Sequence, residues 1–307
     1  MSVEVSYDWF IVLNGGLYVL IAIISCPLHI LVSLAMMRTG TVKKRITLRI
    51  LLSLSIADFI QLVCHGIGGL SIVTGIPLNY TFNSFIGAAM NMLWALTLVQ
   101  HVALAVNRLK VVSSRTVAQE KEFGYFDSSI LISWLFGLMF SLGYSINGDY
   151  NLYFDAQNLN WAQRTSDPNV VFIRVLFWFR LSALSIGLIS SLFVMITVIC
   201  NRRAVNENTR LLTAKDFRLF IQTTIVFLLA ITHVGTWNLV SDPNVYLLAV
   251  LNMEWVLVCA LMPWLNIAMS ADIRTSLIKK VLKPTHSQKS TTKTAVITVY
   301  NLTPRRF

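Results

Sequence analysis

The decisive stretch runs from residue 59 to residue 108, FIQLVCHGIGGLSIVTGIPLNYTFNSFIGAAMNMLWALTLVQHVALAVNR, in which no Asp, Glu, Lys or Arg occurs until the final Arg108. It is too long for one helix to cross a bilayer, which takes about 20 residues, and its turn-forming middle, TGIPLNYT (Thr74 to Thr81), divides it into two spans. Similar charge-free gaps run from Trp9 to Met37, Ser128 to Gly148, Leu181 to Asn201 and Leu219 to Ser241, and Val245 to Met269 supplies one more span. The expected fold is therefore all-α, an integral membrane bundle of seven transmembrane helices over residues 12–37, 48–72, 84–108, 128–147, 170–200, 217–240 and 244–269.

Bulk composition agrees. Of the 307 residues 55% are hydrophobic and 13% charged, too few polar side chains to cover a soluble globule of this size. The net charge of +11 does not point to nucleic acid, because its distribution is one-sided. With the amine end outside, 22 of the 25 Lys and Arg residues fall on the cytoplasmic side, leaving Arg164, Arg174 and Arg180. The positive-inside bias thus orients the chain with its N-terminus out. Glu4 and Asp8 stand where a cleavable signal would be basic, so the first span is expected to be retained. Cys26, Cys64, Cys200 and Cys259 fall in spans or at an inner end, where they read as small buried hydrophobes with no extracellular disulfide.

One domain is expected, residues 1–283, ending in a membrane-surface helix over 271–283 whose face of Ile273, Leu277, Ile278, Val281 and Leu282 opposes Lys279, Lys280 and Lys283. Residues 284–307, polar, basic and rich in Ser and Thr, read as a disordered cytoplasmic tail. The pentapeptide SDPNV opens a span twice, at Ser166 and Ser241, with an Asp to cap the helix and a Pro in its first turn. The outer connection Asn147 to Asn169 is long enough to cap a pocket, and Asn79-Tyr80-Thr81 is a glycosylation sequon.

Seven helices fit more than one machine. A retinal protein needs a lysine midway along its last helix, and none lies between Lys215 and Lys279. Leu54 and Asp58 in LSLSIADFI, Arg108 in AVNRL, Trp134 in LISWLFG, and the spacing of Pro263, Ser270 and Arg274 together resemble rhodopsin-like receptors coupled to heterotrimeric G proteins. The departures narrow the resemblance. The third helix has no cysteine at its top, the sixth no Cys-Trp-x-Pro, and Met262 and Asn266 flank Pro263 where that group has Asn and Tyr. Taken together the chain resembles the nematode serpentine chemoreceptors, the group that includes the Srx and Srt classes.

That resemblance implies a plasma-membrane receptor, in many cases placed in sensory cilia, that detects a small molecule and signals through a heterotrimeric G protein. It makes Asp58, Asn107, Arg108 and Pro263 the candidate coupling and activation residues. Arg108, long and permanently charged, can reach the inner mouth; the plain alternative is a headgroup anchor. A neutral Asn107 beside it, in place of an acidic residue, implies a looser resting state with basal signalling. In similar receptors the aspartate helps hold sodium; here Asp58 with Thr97 is the candidate site, weighed against a structural or protonated carboxyl.

Arg180 and Glu254 lie roughly 16 to 18 Å below the two SDPNV starts at ~1.5 Å per residue, which invites a salt bridge or a shared ligand site. With Asn91, Trp94, His233, Trp237 and Asn252 they form the candidate ligand-binding set, read against the alternative that aromatics at helical spacing simply pack. No cofactor is expected. No metal cluster or nucleophile-base arrangement suggests an enzyme. A transporter or channel subunit using Asp58, Arg180 and Glu254 as a polar path is the alternative class, with no evident inverted repeat to favour it.

Overall fold

A computed structural model describes residues 9–38, 42, 46–113, 123–146, 152–163, 167–204, 210–239 and 244–278. Seven long helices follow one another: α1 (Trp9–Arg38), α2 (Ile46–Thr74), α3 (Tyr80–Ser113), α4 (Phe123–Ile146), α5 (Asp167–Ala204), α6 (Arg210–Leu239) and α7 (Val245–Met269). A short α8 (Ala271–Ser276) closes the described chain, and a two-stranded antiparallel hairpin, β1 (Leu152–Asp155) with β2 (Asn160–Gln163), interrupts the connection from α4 to α5. The hairpin is an addition to the expected all-α bundle. Asp155 makes its turn, its carboxylate accepting the backbone N–H groups of Gln157 and Asn158 at 3.0 and 3.2 Å.

Side-chain distribution is that of a membrane bundle. Large apolar residues such as Leu20, Ile24, Leu70, Met139, Trp178, Ile189, Phe193 and Leu257 are exposed around the outside. The interior buries Ser25, His29, Ser55, Asp58, Gln61, Gln100, Gln222 and Asn266. Where lipid surrounds the helices, polar groups turn inward to find partners, the reverse of a soluble protein. Five helices are long and apolar enough to cross a membrane: α1, α2, α3, α5 and α7. In α4 and α6 the described apolar stretches are shorter, Asp127–Met139 and Thr224–Asn238, α6 being entered through the polar KDFRLFIQTT.

Helix α3 is central, packing on α2, α4, α5 and β1, while α1, α2 and α7 form one side and α5, α6 and α7 the other. α1 and α2 cross closely because Gly15 and Gly69 face one another; a Cβ at Gly69 would stand 2.6 Å from the Gly15 carbonyl oxygen. Pro263 leaves the Cys259 carbonyl of α7 without its helical donor. His29 of α1 fills that vacancy, Nε2 lying 3.1 Å from the Cys259 oxygen. A carbonyl only accepts, so Nε2 carries the hydrogen, and in the neutral ring Nδ1 takes the hydroxyl hydrogen of Ser55 at 2.9 Å.

Both ends of α7 are closed locally. Asn244 caps its start, the side-chain oxygen accepting Leu247 N–H at 2.9 Å. The cap of the second SDPNV is thus its Asn, not Asp242, which lies outside the described residues with Ser241 and Pro243. In the first copy α5 begins at Asp167 itself. At the far end Arg274 donates to the Ile267 and Ala268 carbonyls at 2.8 and 2.6 Å, satisfying orphans of the last turn. Ser276 then ties α8 to the Ala35 carbonyl of α1 at 2.8 Å, with Ile273 and Leu277 buried. The rest of the expected surface helix, 279–283, and the tail 284–307 lie outside the described residues. Cys64 and Cys259 are buried as expected, whereas Cys26 is only half-buried and Cys200 is exposed near the C-terminal end of α5.

Candidate functional site

A cavity of about 80 Å³ sits between α3, α5, α6 and α7 under the hairpin, large enough for several waters or a compact organic molecule. Asn91 and Trp94 of α3, Arg180 of α5, His233, Val234, Trp237 and Asn238 of α6, Asn252 and Trp255 of α7, and Leu152 and Trp161 of the hairpin line it. Six of the seven ligand candidates named from the sequence therefore share one wall system, Glu254 being the exception. Of the residues sequence reasoning missed, Trp255 carried a signal, lying three residues beyond Asn252 on the same helical face. Leu152 and Trp161 carried none, since a loop has no period from which to read a facing direction.

The expected bridge between Arg180 and Glu254 is replaced by two other contacts. Arg180 Nη2 donates to Asn91 Oδ1 at 2.9 Å, and Glu254 Oε2 lies 3.7 Å from His233 Nδ1. The reason is topological: α6 packs between α5 and α7, so equal depth along those helices does not make their side chains neighbours. His233 meets Trp94 and Trp255 edge to face with ring centroids 5.5 and 5.8 Å apart, Trp94 and Trp255 lie tilted at 5.2 Å, and His233 stacks on Trp237 at 6.2 Å.

The hairpin is the roof. Asn83 of α3 pairs with the Phe154 backbone as a strand would, Nδ2 donating to its carbonyl at 3.0 Å and Oδ1 accepting its N–H at 2.7 Å. Tyr18 donates to the Leu159 carbonyl at 3.3 Å, and Trp161 Nε1 donates to His65 Nδ1 at 3.2 Å. Leu159, fully buried, adopts a left-handed φ of 56° that this burial holds in place. Gly87 makes the approach possible, since any Cβ there would collide with the Leu152 carbonyl.

Below this cavity a second, of about 10 Å³, has Asp58, Gln61, Thr97, His101, Cys259 and Met262 among its lining residues, and Trp94 is common to both. Trp255 Nε1 donates to Gln61 Oε1 at 2.9 Å, and Gln61 Nε2 makes a long 3.5 Å contact with Asp58 Oδ1. The side-chain oxygens on its wall are those of Asp58, Thr97 Oγ1 and Gln61 Oε1, the last already accepting from Trp255, and His101, Cys259 and Met262 are nitrogen and sulfur neighbours beside them. That is not the oxygen shell a hard cation takes, and Asp58 fits better as a buried carboxyl of the polar core.

At the end of α3 far from the hairpin Asn107 and Arg108 are buried, and Asn107 donates to Thr47 of α2 at 3.1 Å, so its amide ties α3 to α2. Pro263 lies buried in α7, and three residues on Asn266 accepts from Gln222 of α6 at 3.0 Å, a link between α6 and α7 that the sequence showed only as a departure. Trp134 donates to Ser53 of α2 at 2.9 Å. Asn79 is exposed at the start of α3, its side-chain oxygen accepting Thr81 N–H at 3.0 Å.

A bundle of seven long helices, with a roofed cavity in one half and a buried arginine at the other end of its central helix, defines the class of serpentine membrane receptors. The family described as serpentine type 7TM GPCR chemoreceptor Srx matches residues 20–261, and the chain belongs to that family. No curated protein matches the chain.

Proposed function

We propose that the protein sits in the plasma membrane with its amine end outside, binds a small environmental molecule in the roofed cavity, and passes the event to a heterotrimeric G protein at the inner mouth. The observation that carries this reading is the cavity itself, aromatic-walled with a few polar groups, drawing on four helices and the hairpin at once. A ligand there touches helices that must move relative to one another for a bundle to switch.

Two features support a route inward. Trp94 separates the two cavities, so a ligand that shifts its indole alters the chamber around Asp58. Trp255 reaches the same chamber through its hydrogen bond to Gln61. Further in, the Gln222 to Asn266 link holds α6 against α7, and its release would let α6 swing from the inner mouth where Arg108 meets the partner. Sensory cilia are the expected placement.

Purified receptor in lipid nanodiscs with a heterotrimeric G protein, screened against volatile and soluble compounds for nucleotide exchange, tests the reading. Ligand-dependent exchange is expected. Solute flux through receptor-containing liposomes, with no exchange for any compound, would overturn it in favour of a transporter. Epitope tags on the two termini test the orientation, and staining of both on the same face of the cell would sink it.

A further inference from the structure

We propose that Asn91 is the residue that selects among ligands of the upper cavity, reading a hydrogen-bond acceptor on a compact apolar body, and that Arg180 is its positioning residue. This rests on reading the cavity as the ligand site. An Asn amide has an accepting end and a donating end of nearly the same shape, so its neighbours decide which way it faces. A guanidinium decides it outright, because Arg carries donors and no acceptor. Arg180 Nη2 donates to Asn91 Oδ1 at 2.9 Å, so the oxygen end is held toward α5 and the nitrogen end is left over. That nitrogen is buried without a hydrogen-bond partner, on a residue that is 3% exposed and lines the cavity.

A buried donor left unmatched is costly, so the wall favours an occupant that brings an acceptor to it. The donor is a neutral amide and therefore reads hydrogen-bonding direction while leaving the ligand's charge open. Arg180 has contacts beyond Asn91 and acts here by aiming the amide, without meeting the ligand. Two indoles of the wall add apolar surface and no donor, since Trp161 has given its N–H to His65 and Trp255 to Gln61. Position agrees. Asn91 stands three residues before Trp94 on the same face of α3, on the side of Asn83 and Gly87, where the hairpin is seated. An apolar body laid against Trp94 thus brings a polar end on its roof side to the amide.

The competing account makes Asn91 a tie between α3 and α5 and nothing more, its bond to Arg180 being the whole of its role. A tie needs only the oxygen end. On that account substitution lowers stability and leaves the ranking of ligands as it was, so ranking is the quantity that separates the two.

The test uses full-length receptor in nanodiscs and three neutral compounds of one shape: cyclopentanone, which only accepts, cyclopentanol, which accepts and donates, and methylenecyclopentane, which does neither. Thermal stability against compound concentration is the readout, for wild type, N91D and R180M. Wild type is expected to take cyclopentanone about tenfold more tightly than methylenecyclopentane, the factor that a stranded buried donor implies. N91D keeps an oxygen for Arg180 and loses the donor, so it should fold and change the ranking, taking cyclopentanol and rejecting the ketone. R180M frees the amide to present either end, so preference should move from the ketone toward the alcohol by about threefold or more. The proposal is overturned if wild type takes the ketone and the methylene compound equally, if N91D keeps the wild-type ranking, if R180M weakens all three compounds alike, or if none of them acts. Failure of the receptor reading is separate: binding with the stated preferences while no compound triggers nucleotide exchange leaves the role of Asn91 standing, whereas exchange triggered as well by methylenecyclopentane as by cyclopentanone overturns that role alone.

Discussion

Replacing His29 with Leu removes one ring but touches two helices at once. The side chains are of similar size, so the main effect is on the Cys259 carbonyl, which Pro263 has already deprived of its helical donor and which His29 Nε2 satisfies at 3.1 Å. Ser55, the other partner of the ring, can turn its hydroxyl to a carbonyl one helical turn back, so it loses little. A stranded buried carbonyl costs ~1–3 kcal/mol, while interhelical hydrogen bonds measured in membranes average ~0.6 with a maximum near 1.7. About 1–2 kcal/mol is therefore expected, a fall in melting temperature of roughly 2 to 6 °C by the usual scaling for chains of this order. The measurement is thermal unfolding of purified receptor as a double-mutant cycle with P263A. Alanine restores an N–H that can close the helix onto Cys259, so His29→Leu should cost less than half as much in that background, a coupling of about 1 kcal/mol. Equal losses with and without Pro263 would refute the account.

Other outcomes follow from the same contacts. Gly87→Val must push the hairpin off α3, so it should lower the melting temperature by several degrees and abolish stabilisation by ligand; retention of both would mean that the roof is not seated on Gly87. Gln61→Leu, which removes the acceptor of Trp255, should leave ligand binding within about threefold of wild type while ligand-dependent nucleotide exchange drops several-fold, separating the two cavities' roles. Asn266→Ala, which breaks the Gln222 link between α6 and α7, should raise basal exchange about two- to fivefold, and an unchanged basal rate at equal surface expression would remove that link from the switch. Wild-type receptor should signal above mock-transfected cells without ligand, and N107D should lower that basal signal. Asn79→Gln should increase gel mobility of protein from eukaryotic cells, as loss of one glycan would, and no change would show the sequon to be unused.

How far the site was legible depended on the kind of contact. Asn91, Trp94, His233, Trp237 and Asn252 came from depth and helical phase, quantities that one helix carries within its own sequence, and the structure gathers them round one cavity. Arg180 and Glu254 were equally deep, yet α6 stands between their helices, so their partners became Asn91 and His233. Depth is a property of one helix. Adjacency belongs to two.

The sequence alone determined the number of long helices and, to within a few residues, where most of them run, because lipid solvation, proline and capping act within a few residues of one another. Only the tertiary structure decided that His29 completes the helix broken by Pro263, that Asn107 ties to Thr47 and not to its neighbour, and that a hairpin roofs the cavity over Gly87. Each of these joins positions far apart along the chain, and whether such groups meet is set by the rotation and packing of whole helices, which no local pattern of residues encodes.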